Sequence, residues 1–166
     1  MRGVVAVALV AAACASSPEP AAPAATGAWF EEVASERGLV FEHRSGHRTE
    51  FYMPEIMGGG AALFDMDGDG DLDVYLVNSG SLIDTPSKQP PNRLFENRGD
   101  GRFEDVTDGS GAGDTGYGMG VTAGDYDLDG DVDIAVGIFS GLFFAEGQER
   151  PFEGEAWVEL WENLGS

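Results

Sequence analysis

The chain has 166 residues, room for one domain of ordinary size, and its 42% apolar content is enough for a core. Its formal net charge is −21, with nine Lys and Arg against 30 Asp and Glu. That balance excludes a nucleic-acid surface, which needs clustered basic residues, and favours cations as ligands. The single cysteine, Cys14, excludes an intrachain disulfide.

The N-terminus reads as an address. Arg2 precedes an apolar run over residues 4–13, about half the ~20 residues that a membrane-spanning helix needs. A charged start, a short apolar stretch and then small residues make the form of a secretory signal over residues 1–13. Ala11-Ala12-Ala13-Cys14 resembles a bacterial lipoprotein cleavage box, although a larger aliphatic residue is usual where Ala11 stands. Cys14 is therefore the expected lipidation site, and a lipid anchor the only expected membrane contact. Residues 14–28 are a tether rich in Pro, Ala and Ser, with no periodic apolar face. The expected location is the outer membrane, the cell surface or the extracellular medium.

The folded region is expected over residues 29–166. A short helical turn is predicted at 31–37. His43 and His47 are four apart, but Gly46 and polar neighbours predict a loop there and not a zinc-binding helix. Gly58-Gly59-Gly60 lacks the Gly-Lys-Ser/Thr of a phosphate loop, so close strand packing is the better reading.

From residue 58 the sequence repeats itself. Asp65, Asp67, Asp69, Gly70, Asp71 and Asp73 match Asp125, Asp127, Asp129, Gly130, Asp131 and Asp133 at an offset of 60 residues. Leu94-Phe95-Glu96-Asn97 matches Leu160-Trp161-Glu162-Asn163 at an offset of 66, which leaves a six-residue insertion before the second block. The repeats span about 58–107 and 118–166. Apolar, β-branched and aromatic runs predict strands at 61–64, 72–78, 93–97, 103–107, 121–123, 132–139 and 157–162. The Asp-Gly within Arg98-Gly99-Asp100-Gly101-Arg102 predicts a hairpin between the third and fourth. Arg98-Gly99-Asp100 also spells an integrin-recognition tripeptide, for which the hairpin turn is the simpler explanation. Each unit supplies about four short strands, so the expected fold is all-β, a partial β-propeller of about two four-stranded blades.

Each repeat carries Asp-x-Asp-x-Asp-Gly-x-x-Asp. Hard Ca²⁺ takes six to eight oxygens, and alternating carboxylates converge on one when the backbone curls. By analogy with other Asp-rich loops, Asp65, Asp67, Asp69 and Asp73 supply side chains in the first loop, and Asp125, Asp127, Asp129 and Asp133 in the second. Asp71 and Asp131 are expected to supply a backbone carbonyl. An EF-hand is disfavoured, because Leu76 and Val136 stand where it needs a bidentate Glu, both within predicted strands. Two Ca²⁺ ions in structural roles are expected. Trp29, Trp157 and Trp161 are candidates for stacking on sugars, with packing between blades as the simpler role.

Strand, Asp-rich loop, strand, Leu94-Phe95-Glu96-Asn97 and then Gly101-Arg102-Phe103-Glu104-Asp105-Val106-Thr107 resemble the FG-GAP/VCBS repeats, the blades of propellers in integrin α-subunits. The segments 29–33, 38–43 and 53–60 resemble bacterial members of the cartilage acidic protein (ASPIC/UnbV-type) group. The resemblance implies a seven-bladed propeller with Ca²⁺ in its blade loops, of which this chain supplies the N-terminal portion, so completion by other chains is an expectation. The function expected is a surface scaffold that binds protein or glycan and is not an enzyme. The alternative is a fragment of a propeller enzyme acting on extracellular polysaccharide.

Overall fold

The computed structural model describes residues 27–48, 52–82, 89–140 and 155–164. The signal segment and Cys14 lie outside the described residues, as does all of the tether except residues 27 and 28. The chain divides into two compact units, residues 1–32 and 33–166. The described residues of the first, 27–32, contain no helix or strand.

The second unit is β-rich. Strands β1 (Ala61–Phe64), β2 (Asp73–Leu76), β3 (Arg93–Asn97) and β4 (Phe103–Asp105) form a four-stranded sheet in that order. Strands β5 (Tyr117–Gly124), β6 (Asp133–Ser140) and β7 (Glu155–Trp161) form a three-stranded one. Every pairing is antiparallel. Two antiparallel sheets in this arrangement are consistent with partial propeller blades.

Alternation decides which face is buried. In the first sheet Phe64, Tyr75 and Leu94 point one way and are joined by Val77. They pack against Ile134, Val136 and Ile138 of β6, and this one cluster is the core. The backbones also meet directly. Gly118 N donates to Asn78 O at 3.2 Å, and Ser79 Oγ donates to Gly118 O at 2.9 Å. A Cβ on Gly60 would lie 3.0 Å from Gly120 Cα, so glycine is required where the sheets approach. A buried polar hub holds the connection between sheets: Tyr75 Oη donates to Ala112 O at 2.8 Å and accepts from Asn92 Nδ2 at 3.0 Å, while Asn92 Oδ1 accepts from Asn78 N at 2.8 Å.

Several boundaries differ from the sequence expectation. The short helical turn expected at 31–37 is present as a single turn over 34–38, closed by Arg37 N donating to Val33 O at 2.9 Å. Strand β4 stops at Asp105, because the Thr107 hydroxyl turns back onto Leu94 and Asp105 and opens a four-residue helix, α2 (Thr107–Ser110). Before it in the chain, α1 (Met53–Met57) was not expected. Glu55 holds it by accepting from Tyr52 N at 3.2 Å and contacting His47 Nδ1 at 3.2 Å. Strand β5 is longer than predicted, running from Tyr117.

Candidate metal centres

Each Asp-rich loop joins the first two strands of its sheet, β1 to β2 and β5 to β6, and folds around its own carboxylates. Asp65 Oδ1 accepts from Gly68 N at 2.9 Å and Asp69 N at 3.1 Å, and its Oδ2 accepts from Gly70 N at 2.9 Å. In the second loop Asp125 Oδ1 accepts from Leu128 N at 2.7 Å and Oδ2 from Gly130 N at 3.1 Å. Gly70 and Gly130 have φ of 92° and 104°, which L side chains rarely adopt.

The last aspartate of each motif is set apart by burial. Asp73 is 1% exposed and Asp133 2%. Asp73 Oδ2 accepts from Met66 N and Oδ1 from Asn97 N, each at 2.8 Å. Asp133 repeats the pattern with Tyr126 N at 3.1 Å and Asn163 N at 2.7 Å. Each buried carboxylate thus ties its loop to the end of the third strand. Asn97 and Asn163 are the residues that sequence reasoning missed in this role. Their signal was present, since both end the repeated Leu-x-Glu-Asn block three residues after the leucine.

Of the ten aspartates, the structure brings together two triads: Asp65, Asp67 and Asp73, and Asp125, Asp127 and Asp133. Within each, one carboxylate oxygen per residue lies within 4.8 Å of the others. Asp69, Asp71, Asp129 and Asp131 are not part of either triad. Asp69 and Asp129 instead accept from the backbone N of Asp71 and Asp131, at 2.8 and 2.9 Å.

The donor set suits a hard divalent cation. Oxygens on opposite sides of a shared Ca²⁺ are ~4.6–5.2 Å apart, a span that accommodates these separations. The electrostatics point the same way. Burial, and then repulsion from Asp67 and Asp69, raises the Asp73 carboxyl above the ordinary 3.8, against the pull of its two N–H bonds. Asp127 is raised by partial removal from water and by repulsion from Asp129, Asp133 and Asp125. The three carboxylates of each triad, within 4.8 Å of one another, repel when all are ionised. A bound cation would reverse that balance.

The loops differ at three positions, Met66/Tyr126, Gly68/Leu128 and Leu72/Val132, and the middle one bears on backbone strain. Gly68 has φ 75°, while its counterpart Leu128 has φ 66° and is 86% exposed. An L residue in that region is strained by about 1–2 kcal/mol, which glycine escapes at the cost of a freer unfolded chain. Leu128→Gly is expected to raise stability by about 0.5–1 kcal/mol, read from the denaturation midpoint.

The remaining candidates separate. His43 Nε2 lies 3.1 Å from Ser79 Oγ, whose proton goes to Gly118 O, so His43 is the donor between them. His47 faces Glu55 instead. Neither histidine joins a metal cluster among the described residues. Gly59 and Gly60 pack against the Val77 carbonyl and β5. Arg98-Gly99-Asp100 lies in the β3–β4 hairpin, with Arg98 paired to Glu96 and Glu104. Among the described residues no helix is long and apolar enough to cross a membrane.

Comparison with known proteins agrees with the internal repeat. Residues 65–136 match an FG-GAP-like repeat. The chain is 41% identical over 68 residues to cartilage acidic protein 1 of Xenopus tropicalis and 42% identical over 67 residues to that of Homo sapiens. Each match covers 40% of this chain but 10% of the relative, so the matched segment spans about a tenth of those proteins' length.

Proposed function

We propose that this chain is an exported, Ca²⁺-stabilised β-repeat module that serves as a cell-surface binding scaffold for protein or glycan and is not an enzyme. The observation that carries the reading is the duplicated triad, Asp65/Asp67/Asp73 and Asp125/Asp127/Asp133. All the carboxylates of a triad come from one loop between two strands, and the buried member clasps a third strand. Ca²⁺ bound there would supply charge neutralisation. The loop's own residues do the rest: Asp73 and Asp133 fix the strand ends, and Asp65 and Asp125 gather the loop N–H groups. Such an ion stabilises the fold by mass action, by ~2.7 kcal/mol per site at a hundredfold excess over its dissociation constant.

Calorimetric titration of the protein with Ca²⁺ tests the reading. Two equivalents are expected, with dissociation constants on the order of 10⁻⁴–10⁻³ M, as in extracellular modules. Absence of any heat in a sample with a β-type circular dichroism spectrum would refute it. The response should also depend on pH. Because the folded pKa values of Asp73 and Asp127 are raised, the ion-free fold holds more protons than the unfolded chain in the range above 3.8. Its stability therefore falls as pH rises through that range, and the stabilisation by Ca²⁺ grows.

Anchoring is proposed through Cys14. Cys14→Ala is expected to move the protein from the membrane fraction to the soluble one. An unchanged distribution on fractionation would contradict the anchor and leave the Ca²⁺ reading intact.

A further inference from the structure

Hydrogen bonds join the two metal centres through one residue, Asn163. Its backbone N donates to Asp133 Oδ1 at 2.7 Å, inside the second centre. Its side-chain Nδ2 donates to Met66 O at 2.7 Å, inside the first loop. Met66 stands between Asp65 and Asp67, and its N donates to Asp73 Oδ2 at 2.8 Å. A continuous path therefore runs from Asp133 through Asn163 and Met66 to Asp73. Its two ends are the buried carboxylates of the two triads.

Comparison of the repeats shows that the link is an addition to the clasp and not a by-product of it. Asn97 holds the equivalent position in the first repeat, where its N donates to Asp73 Oδ1 at 2.8 Å. The Asn97 Nδ2 donates to Leu72 O at 3.3 Å, within the loop that it clasps. Asn163 keeps the counterpart of that bond, to Val132 O at 3.4 Å, and adds the shorter one to Met66 O. An amide nitrogen with two protons can serve both carbonyls at once. The link also has room to break. A cavity of about 340 Å³ is lined by Met66 and Asp67 of the first loop and by Glu162 and Asn163 just after β7. A loop that faces such a space is free to shift while its carboxylates repel one another.

We propose that the two Ca²⁺ sites are coupled, with Asn163 as the positioning residue through which occupancy of either centre raises the affinity of the other. Resting on the Ca²⁺ reading of the triads, this coupling adds the regulation of the same sites. When Asp65, Asp67 and Asp73 are drawn together, the Met66 peptide between them is fixed with its carbonyl toward Asn163. Asn163 then holds its own N–H toward Asp133, and the second loop has less freedom left to lose on binding. The path works equally in reverse, because coupling between two binding sites is reciprocal. Repulsion between two bound ions acts the other way and is reduced by salt.

The test titrates the full chain with Ca²⁺ and follows each centre separately by NMR. The amides of Gly70 and Gly130 donate to Asp65 and Asp125, so they report the first and the second centre. Asp67 and Asp127 are the exposed members of their triads, and each is replaced by asparagine to weaken its own centre. Asp67→Asn is expected to lower the affinity read at Gly130 about fivefold, and Asp127→Asn to lower that read at Gly70 by the same factor. In an Asn163→Ala background, which keeps the backbone N–H to Asp133, each cross-effect should shrink to less than about twofold. The double-mutant comparison also removes the direct effect of the lost charge on the distant site. A Gly130 affinity that Asp67→Asn leaves unchanged or raises overturns the coupling. That arm needs no substitution at Asn163, so it decides the matter even where Asn163→Ala fails to fold. Cross-effects that persist in Asn163→Ala overturn the role of Asn163. If neither amide responds to Ca²⁺, the Ca²⁺ reading fails and the coupling with it, whereas two sites that fill independently sink the coupling alone.

Discussion

Asp73→Ala is expected to lower the melting temperature by roughly 10 °C or more and to remove the thermal response contributed by the first Ca²⁺ site. The carboxylate is 1% exposed and accepts from Met66 N and Asn97 N. Its removal leaves both donors without their acceptor in a buried place, at about 1–3 kcal/mol each. Relief of repulsion from Asp67 and Asp69 offsets part of that cost. The total is a large share of the roughly 5–15 kcal/mol that holds a domain together. Asp73→Asn separates the two roles, because its amide oxygen keeps one acceptor and its charge is gone. It should melt between parent and Asp73→Ala without Ca²⁺, and gain less than the parent when Ca²⁺ is added. Thermal melts of the three proteins with Ca²⁺ and with chelator provide the measurement. An Asp73→Ala protein that melts with the parent under both conditions would show that the carboxylate neither supports the strands nor binds the ion.

Gly118→Val should have the other large effect, through packing alone. A Cβ at Gly118 overlaps Val77 Cγ1 and lies 2.9 Å from Asn78 O. Val77 is 1% exposed, so it has no open space to retreat into. The hydrogen bonds at Gly118, from its N to Asn78 O and from Ser79 Oγ to its O, would be displaced together with it. Overpacking of this kind costs about 1–3 kcal/mol, and the lost hydrogen bonds add about 1 kcal/mol each. Gly120, two residues along, has no atom within 4 Å of an added Cβ, so Gly120→Ala is the control and should shift the denaturation midpoint little. Urea unfolding of the pair distinguishes a steric requirement at one glycine from a general intolerance of β5 to side chains.

Legibility in the sequence follows the range of the forces involved. The Asp-rich loops were readable because their order is local: curl, glycines and carboxylates lie within nine residues, and the curl follows from Asp side chains capping backbone N–H groups a few positions on. The hairpin was readable for the same reason, and β3 was predicted to the residue. Strand β5 was read short because Gly118 and Gly120 weaken a strand signal. Gly118 is glycine because Val77 and Asn78 lie against it, a fact held by residues 77 and 78 and not by β5 itself. Helix α1 was missed because five residues containing a proline carry little helical signal, and its anchor at Glu55 draws on His47 from an earlier loop. Asp73 and Asp133 were marked as ligands, but nothing local distinguished them from their neighbours. Their burial, and the N–H groups they take from Asn97 and Asn163, depend on strands 24 and 30 residues downstream.

That downstream dependence has a consequence for how the molecule comes into being. The first loop emerges from synthesis well before Asn97, and the second before Asn163, so neither centre is complete when its own carboxylates first meet solvent. Asn163 reaches further still: its Nδ2 donates to Met66 O at 2.7 Å, a contact spanning 97 positions. A nascent chain would carry the second acidic loop without its clasp until that residue is made, whereas the first gains its own at Asn97. Contacts of such sequence separation form late and slowly. A cation at the second triad would therefore meet a completed clasp only once Asn163 is made, and that same asparagine then links the second loop to the first.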